Sequence, residues 1–178
     1  INNPPSFTPG PDIVELEDAG AQTRLAWATA MDDNDGGIQA LEFVVENNSN
    51  PALFAVAPVV DATSGTLSFT PANDANGSAQ ITLVLRDDGG TAHGGSDTSV
   101  PAVFSISVTP VNDAPVFTIP ASAPPVLENT GAQSVVGFAT AISAGPPDEA
   151  AQTMAFTLEV TATSASLAFA TAPQMDAS

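Results

Sequence analysis

The sequence predicts an all-β protein built as tandem sandwich copies, and three observations carry that prediction. Short strings recur in the same order about 110 residues apart, apolar stretches of strand length alternate with Asn, Asp, Gly and Pro clusters, and helical periodicity is almost absent. Ser6-Phe7-Thr8 returns as Val116-Phe117-Thr118, "LEDAGAQ" at 16–22 as "LENTGAQ" at 127–133, and "WAT" at 27–29 as "FAT" at 138–140. Further on, "QALEFVV" at 39–45 is answered by "QTMAFTL" at 152–158, and "APVVDA" at 57–62 by "APQMDA" at 172–177. The offset drifts only from 110 to 115, as small loop insertions would make it do. Residues 1–111 therefore read as one complete copy, and 112–178 as the N-terminal half of a second.

Within the first copy the expected strands are Thr23–Thr29, Leu41–Val45, Phe54–Val60, Thr66–Thr70, Ala79–Arg86 and Val103–Thr109, with one more near the start. About seven strands in about 110 residues, evenly punctuated by turn formers, fit an immunoglobulin-like Greek-key sandwich. Prolines at 4, 5, 9 and 11, and again at 110 and 115, stiffen the segments that lead into each copy.

Twenty Asp and Glu stand against two arginines, with no lysine, for a net charge of −18. Such a surface repels phosphate backbones and anionic lipid, so nucleic acid is not an expected partner. No apolar run is long enough to insert in a membrane, and cations are the expected ligands. With no cysteine and one histidine, thiolate metal sites and nucleophilic triads are excluded, and the carboxylates sit on turns rather than in a pocket; no catalytic activity is expected. The absence of lysine also excludes lysine–asparagine isopeptide crosslinks.

Taken together, "VNDAPVF" at 111–117, "LED" at 16–18, "DDNDGG" at 32–37, "GTLSFTP" at 65–71 and "RDDGGTAHGGSDTS" at 86–99 resemble the cadherin-like, immunoglobulin-like tandem repeats of giant bacterial surface and secreted proteins, including RTX-type adhesins. The resemblance implies an extracellular or cell-surface extension module stiffened by Ca2+. It also implies calcium at the junctions between repeats, held by a Glu near the first strand, an Asn-Asp linker and the next repeat's acidic loop.

Loop placement points to calcium as well. A sandwich traverse brings "DDNDGG" and the start of "DDGGTAHGG" to the end where the chain enters, so Asp32, Asp33, Asp35, Asp87 and Asp88 converge beside Asn2 and Asn3. Five carboxylates that close repel one another unless a cation sits among them, and calcium accepts six to eight oxygens in irregular geometry. On this reading, removing Asp33 or Asp87 relieves repulsion in the metal-free protein. The other end gathers Glu17, Asp18, Asp74 and the outgoing Asn112 and Asp113, with Asp148 or Glu149 of "GPPDE" expected to join from the next copy. The second copy departs from the first in carrying Asn129 where the first has Asp18, and in an acid-poor loop, so a rich entry site is not expected there.

Acidic turns also serve simply as solvated loops and Asx turns. Trp27 aligns with Phe138 on a strand and is expected in the core rather than on a sugar-stacking surface, and His93 is expected to be a solvated turn residue. The expected function is a calcium-stiffened extender repeat of a bacterial adhesin or surface fibre. The alternative is a calcium-dependent module that binds glycan or another cell-surface ligand. Expected partners are neighbouring repeats of the same chain and another copy that completes the second repeat by strand exchange.

Overall fold

The computed structural model describes residues 1–127, 130–160 and 169–177, and the chain divides into two compact units, Ile1–Val111 and Asn112–Ser178. The first unit is all-β, with strands β1 (Ser6–Thr8), β2 (Ile13–Leu16), β3 (Gln22–Arg24), β4 (Thr29–Asp32), β5 (Leu41–Asn48), β6 (Phe54–Val60), β7 (Leu67–Pro71), β8 (Gly77–Asp87) and β9 (Ala102–Thr109). A four-stranded sheet runs β2–β9–β8–β5, a three-stranded sheet β3–β7–β6, and β1 pairs with β4. All pairings are antiparallel except β2 with β9, where Ile13 lies opposite Ile106 and Leu16 opposite Thr109.

Strand β8 supplies the centre of the core because its apolar residues alternate. Ala79, Ile81, Leu83 and Leu85 are fully buried, while Gln80 and Arg86 face out. Phe104, Ile106 and Val108 of β9 pack in the same cluster as Leu67 and Phe69 of β7 and Val60 of β6, so both sheets contribute to one core, consistent with a β-sandwich. Each fully buried Leu or Ile contributes about 1.5–3 kcal/mol relative to exposure. Pro58 is tolerated because β6 is an edge strand, where its missing N–H leaves no ladder partner unmet.

The expected strand Thr23–Thr29 is not continuous: the chain leaves the ladder after Arg24 and resumes pairing at Thr29. The cause is Trp27. At 5% exposure its indole is inside, tilted on Phe104 at 4.3 Å between ring centres, and a buried indole N–H needs an acceptor. Nε1 finds the Pro11 carbonyl at 2.9 Å. Reaching that position requires a turn with Ala26 at φ +49°, after which Ala28 N–H donates to the Gly65 carbonyl at 2.9 Å.

The second unit's described strands are β10 (Val116–Thr118) and β11 (Thr140–Ser143), with a single 3-10 turn at Pro147–Glu149. Their register repeats that of β1 with β4. Ser6 opposes Asp32 and Thr8 opposes Thr29; Val116 opposes Ser143 and Thr118 opposes Thr140, each residue 110 or 111 places on. The edge-to-face pair Phe7–Phe43, 4.9 Å at 85°, recurs as Phe117–Phe156, 5.0 Å at 88°. Among the described residues of this unit β10–β11 is the only ladder, and Phe117, Ile119, Leu127 and Val136 remain exposed. Asn129 lies outside the described residues.

Gly65 sits at φ +68°, and a Cβ there would lie 1.9 Å from the Ala28 carbonyl oxygen. Gly65→Ala should therefore lower stability by roughly 2–4 kcal/mol, from backbone strain plus overpacking. Gly90→Ala, at φ +75° with open space around it, should cost only about 1 kcal/mol. Equal losses in urea unfolding of the two variants would contradict the packing described.

Candidate functional site

The first unit gathers its polar loops at two places separated by the length of β8, about 33 Å for eleven residues. Where the chain enters, Asn2 is the hub. Its Nδ2 donates to Asp87 Oδ1 and to the Ser96 carbonyl, both at 2.8 Å; its Oδ1 accepts from Gln39 Nε2 at 2.8 Å; its own carbonyl accepts from Ser96 N–H at 3.1 Å. Gly89 makes this possible, since a Cβ there would lie 2.2 Å from Asn2 Oδ1. Beside it, Asn3 N–H donates to Asp35 Oδ2 and Asn3 Nδ2 to Asp35 Oδ1, each at 2.8 Å. Asp88 accepts from Ala40 N–H at 3.0 Å, and Asp32 from Asn34 N–H at 2.7 Å. An open depression lined by Asp32, Asp33, Asn34 and Gln39 lies on this loop.

Asp33 differs from its neighbours. It is 2% exposed, and its two oxygens accept four backbone N–H groups, from Asp35 at 3.1 Å, Gly37 at 2.8 Å, Ile38 at 2.8 Å and Gln39 at 2.9 Å. The loop curls around the carboxylate, which Gly36 and Gly37 permit at φ +95° and +74°. These amides, Gln39 first, then Gly37 and Asp35, hold the Asp33 pKa at about 2, below its ordinary 3.8, against the opposing effect of burial. In the metal-free protein Asp33 is thus an anchor that shapes the loop, and removing it does more than relieve repulsion. Asp61 does the same on a smaller scale, its pKa lowered by the Ser64 hydroxyl and N–H.

Two acceptor atoms at this end are buried without a partner among the described residues: Gln39 Oε1 and Asp87 Oδ2. Both side chains already hold Asn2 through their other polar atom. A buried acceptor with neither donor nor cation costs about 1–3 kcal/mol, more when charged.

At the other end of β8, Glu17 is 3% exposed; its Oε1 accepts from Val111 N–H and its Oε2 from Asn76 Nδ2 at 3.4 Å. Asp18 and Asp74, exposed and at φ +58° and +53°, are joined by Asp74 N–H donating to Asp18 Oδ1 at 3.2 Å. Within the second unit Asp113 N–H donates to Glu149 Oε1 at 2.6 Å, and Asn112 Oδ1 accepts from Gln152 Nε2 at 3.0 Å. Asp148 is exposed on the same 3-10 turn, so Glu149 rather than Asp148 receives the linker amide.

Gln39 and Gln152 went unsingled among the sequence candidates, yet each bonds an Asn near the start of its unit, Asn2 or Asn112. The signal was present: both recurring strings that begin the fifth strand's sequence open on Gln. His93, the sequence's one histidine, is exposed in a 3-10 turn at φ +58°. Neither a family model nor a curated protein matches this chain.

Depression of the Asp33 pKa means that its folded state favours the charged form. The stability it contributes is complete above about pH 4 and is lost as pH falls toward about 2. Asp33→Asn should lower the melting temperature at neutral pH, and the gap to wild type should close as pH is lowered through that window. A gap that stays constant with pH would assign the effect to packing rather than charge.

Proposed function

We propose that this chain is a non-catalytic extender module of an extracellular bacterial adhesin or surface fibre, a cadherin-like tandem repeat that stiffens when Ca2+ binds. The observation that carries the reading is the entry end of the first unit. There Asp87 holds Asn2 and Asp35 holds Asn3, and Gln39 Oε1 and Asp87 Oδ2 are buried acceptors without a donor among the described residues. A hard divalent cation satisfies such a set, because calcium takes carboxylate and amide oxygens together and tolerates irregular loops. Protein cations do not serve it, since Arg24 pairs with Glu15 and Arg86 with Glu46, and there is no lysine.

The repeated register of β1–β4 and β10–β11 supports reading the two units as copies of one module. Modules in series act as spacers whose reach depends on how stiff each one is. Calcium suits that task because it is plentiful outside cells and binds extracellular modules with Kd of about 10⁻⁴–10⁻³ M.

Ligand that binds only the folded state stabilises it by RT ln(1 + [L]/Kd). At roughly 10 mM calcium and those affinities the gain is about 1.4–2.7 kcal/mol. Melting should therefore shift upward from EDTA to calcium, and less with magnesium, which demands octahedral geometry. Asp87→Ala should remove most of the shift. Superimposable curves in EDTA and in calcium would overturn the proposal.

A further inference from the structure

Two glutamates are buried among the described residues, Glu17 at 3% exposure in the first unit and Glu149 at 4% in the second. Neither pairs with an arginine. Both instead accept backbone amides from one short stretch, Pro110 to Asp113.

In the first unit the hold on this stretch is continuous with the sheet. Strand β2 lies parallel to β9 up to Leu16 opposite Thr109, Glu17 N–H then donates to the Thr109 carbonyl at 2.9 Å, and the Glu17 carboxylate takes the Val111 N–H two residues on. Asn76 Nδ2 steadies the other oxygen. In the second unit the Glu149 carboxylate takes the Asp113 N–H and Gln152 takes the Asn112 side chain. Gly145 leaves room for this: a Cβ there would lie 1.9 Å from Glu149 Oε2 and 3.4 Å from Asp113 Cβ. The same pair of bonds occurs 110 residues earlier, where Gln39 holds Asn2 and Asp35 takes the Asn3 N–H at 2.8 Å. The acid differs between the two places, and the bond it makes does not.

We propose that Glu17 and Glu149 pin the two ends of the linker, each to its own unit and without metal, so that the unpinned backbone is confined to the φ and ψ torsions of Val111 and Asn112. Pro110 and Pro115 already fix φ on either side. A stretch that its prolines already stiffen is then free only in a short hinge at Val111 and Asn112. This goes beyond the calcium reading and does not depend on it.

The test is amide hydrogen exchange of Val111 and Asp113, read by NMR in the full chain with chelator present. Both amides should be protected. Glu17→Ala should speed exchange at Val111 by about tenfold or more and leave Asp113 unchanged, and Glu149→Ala should do the reverse; a hydrogen bond to a charged acceptor sets that scale. The amides of Leu83 and Ile106 report whether the first unit stays folded. Should Glu17→Ala unfold it, Glu17→Asp keeps the charge but shortens the reach, and should still release Val111. Unprotected Val111 and Asp113 in the wild type, or equal changes at both amides in each variant, overturn the proposal. Protection that appears only with calcium also overturns it while sustaining calcium binding, and protection in chelator with no calcium shift in melting does the opposite.

Discussion

Scarcity of positive charge is the constraint on which the rest of this structure depends. With twenty acids and two arginines, both committed to surface pairs with Glu15 and Glu46, no guanidinium is left to accompany a carboxylate inward. A buried charge still has to be compensated. The backbone does it: Asp33 is enclosed by four N–H groups, Glu17 takes Val111 N–H, and Glu149 takes Asp113 N–H. Each buried acid therefore fixes a piece of irregular chain that no ladder could fix. The loops acquire definite shapes because the acids need their amides.

Amides supply fewer donors than these acids can accept. Where backbone runs out, acceptors are left over among the described residues, as at Gln39 Oε1, Asp87 Oδ2 and Glu149 Oε2. The division of labour in the first unit's entry loops follows from this. Asp33 is fully engaged inside the loop and shapes it, whereas Asp87 holds the entering Asn2 and Asp35 holds Asn3. Hydrogen bonds already hold these oxygens in place, so little ordering would oppose the calcium binding proposed above.

Much of the fold was legible because strand alternation and recurrence survive without tertiary information. Phe54–Val60 emerged at the expected bounds, and β5, β8 and β9 contain the stretches expected for them. Thr23–Thr29 was misread because apolar alternation cannot show that a Trp must leave the ladder to bring its N–H to the Pro11 carbonyl. At the site, loop topology placed Asn3 with Asp35 and Glu17 with the "NDAN" turn, but it could not rank the acids. Asp32 and Asp33 look alike as letters. Only the curl of Gly36 and Gly37 decides which one turns inward, and that is a backbone property.

Stiffness in such a chain has two sources that differ in kind. Hydrogen bonds from Glu17, Glu149 and the Asn–Gln pairs are made within each unit, and they are present whenever the unit is folded. Mutual repulsion among exposed acids works against them, and it weakens when ions screen it. A net charge of −18 on a chain of this length makes that opposition large in dilute solution and small where divalent cations are abundant. The local bonds therefore set which conformation is available, while the ionic surroundings set how firmly it is held. In the extracellular role proposed above, dissolved cations would supply the positive charge that the sequence lacks.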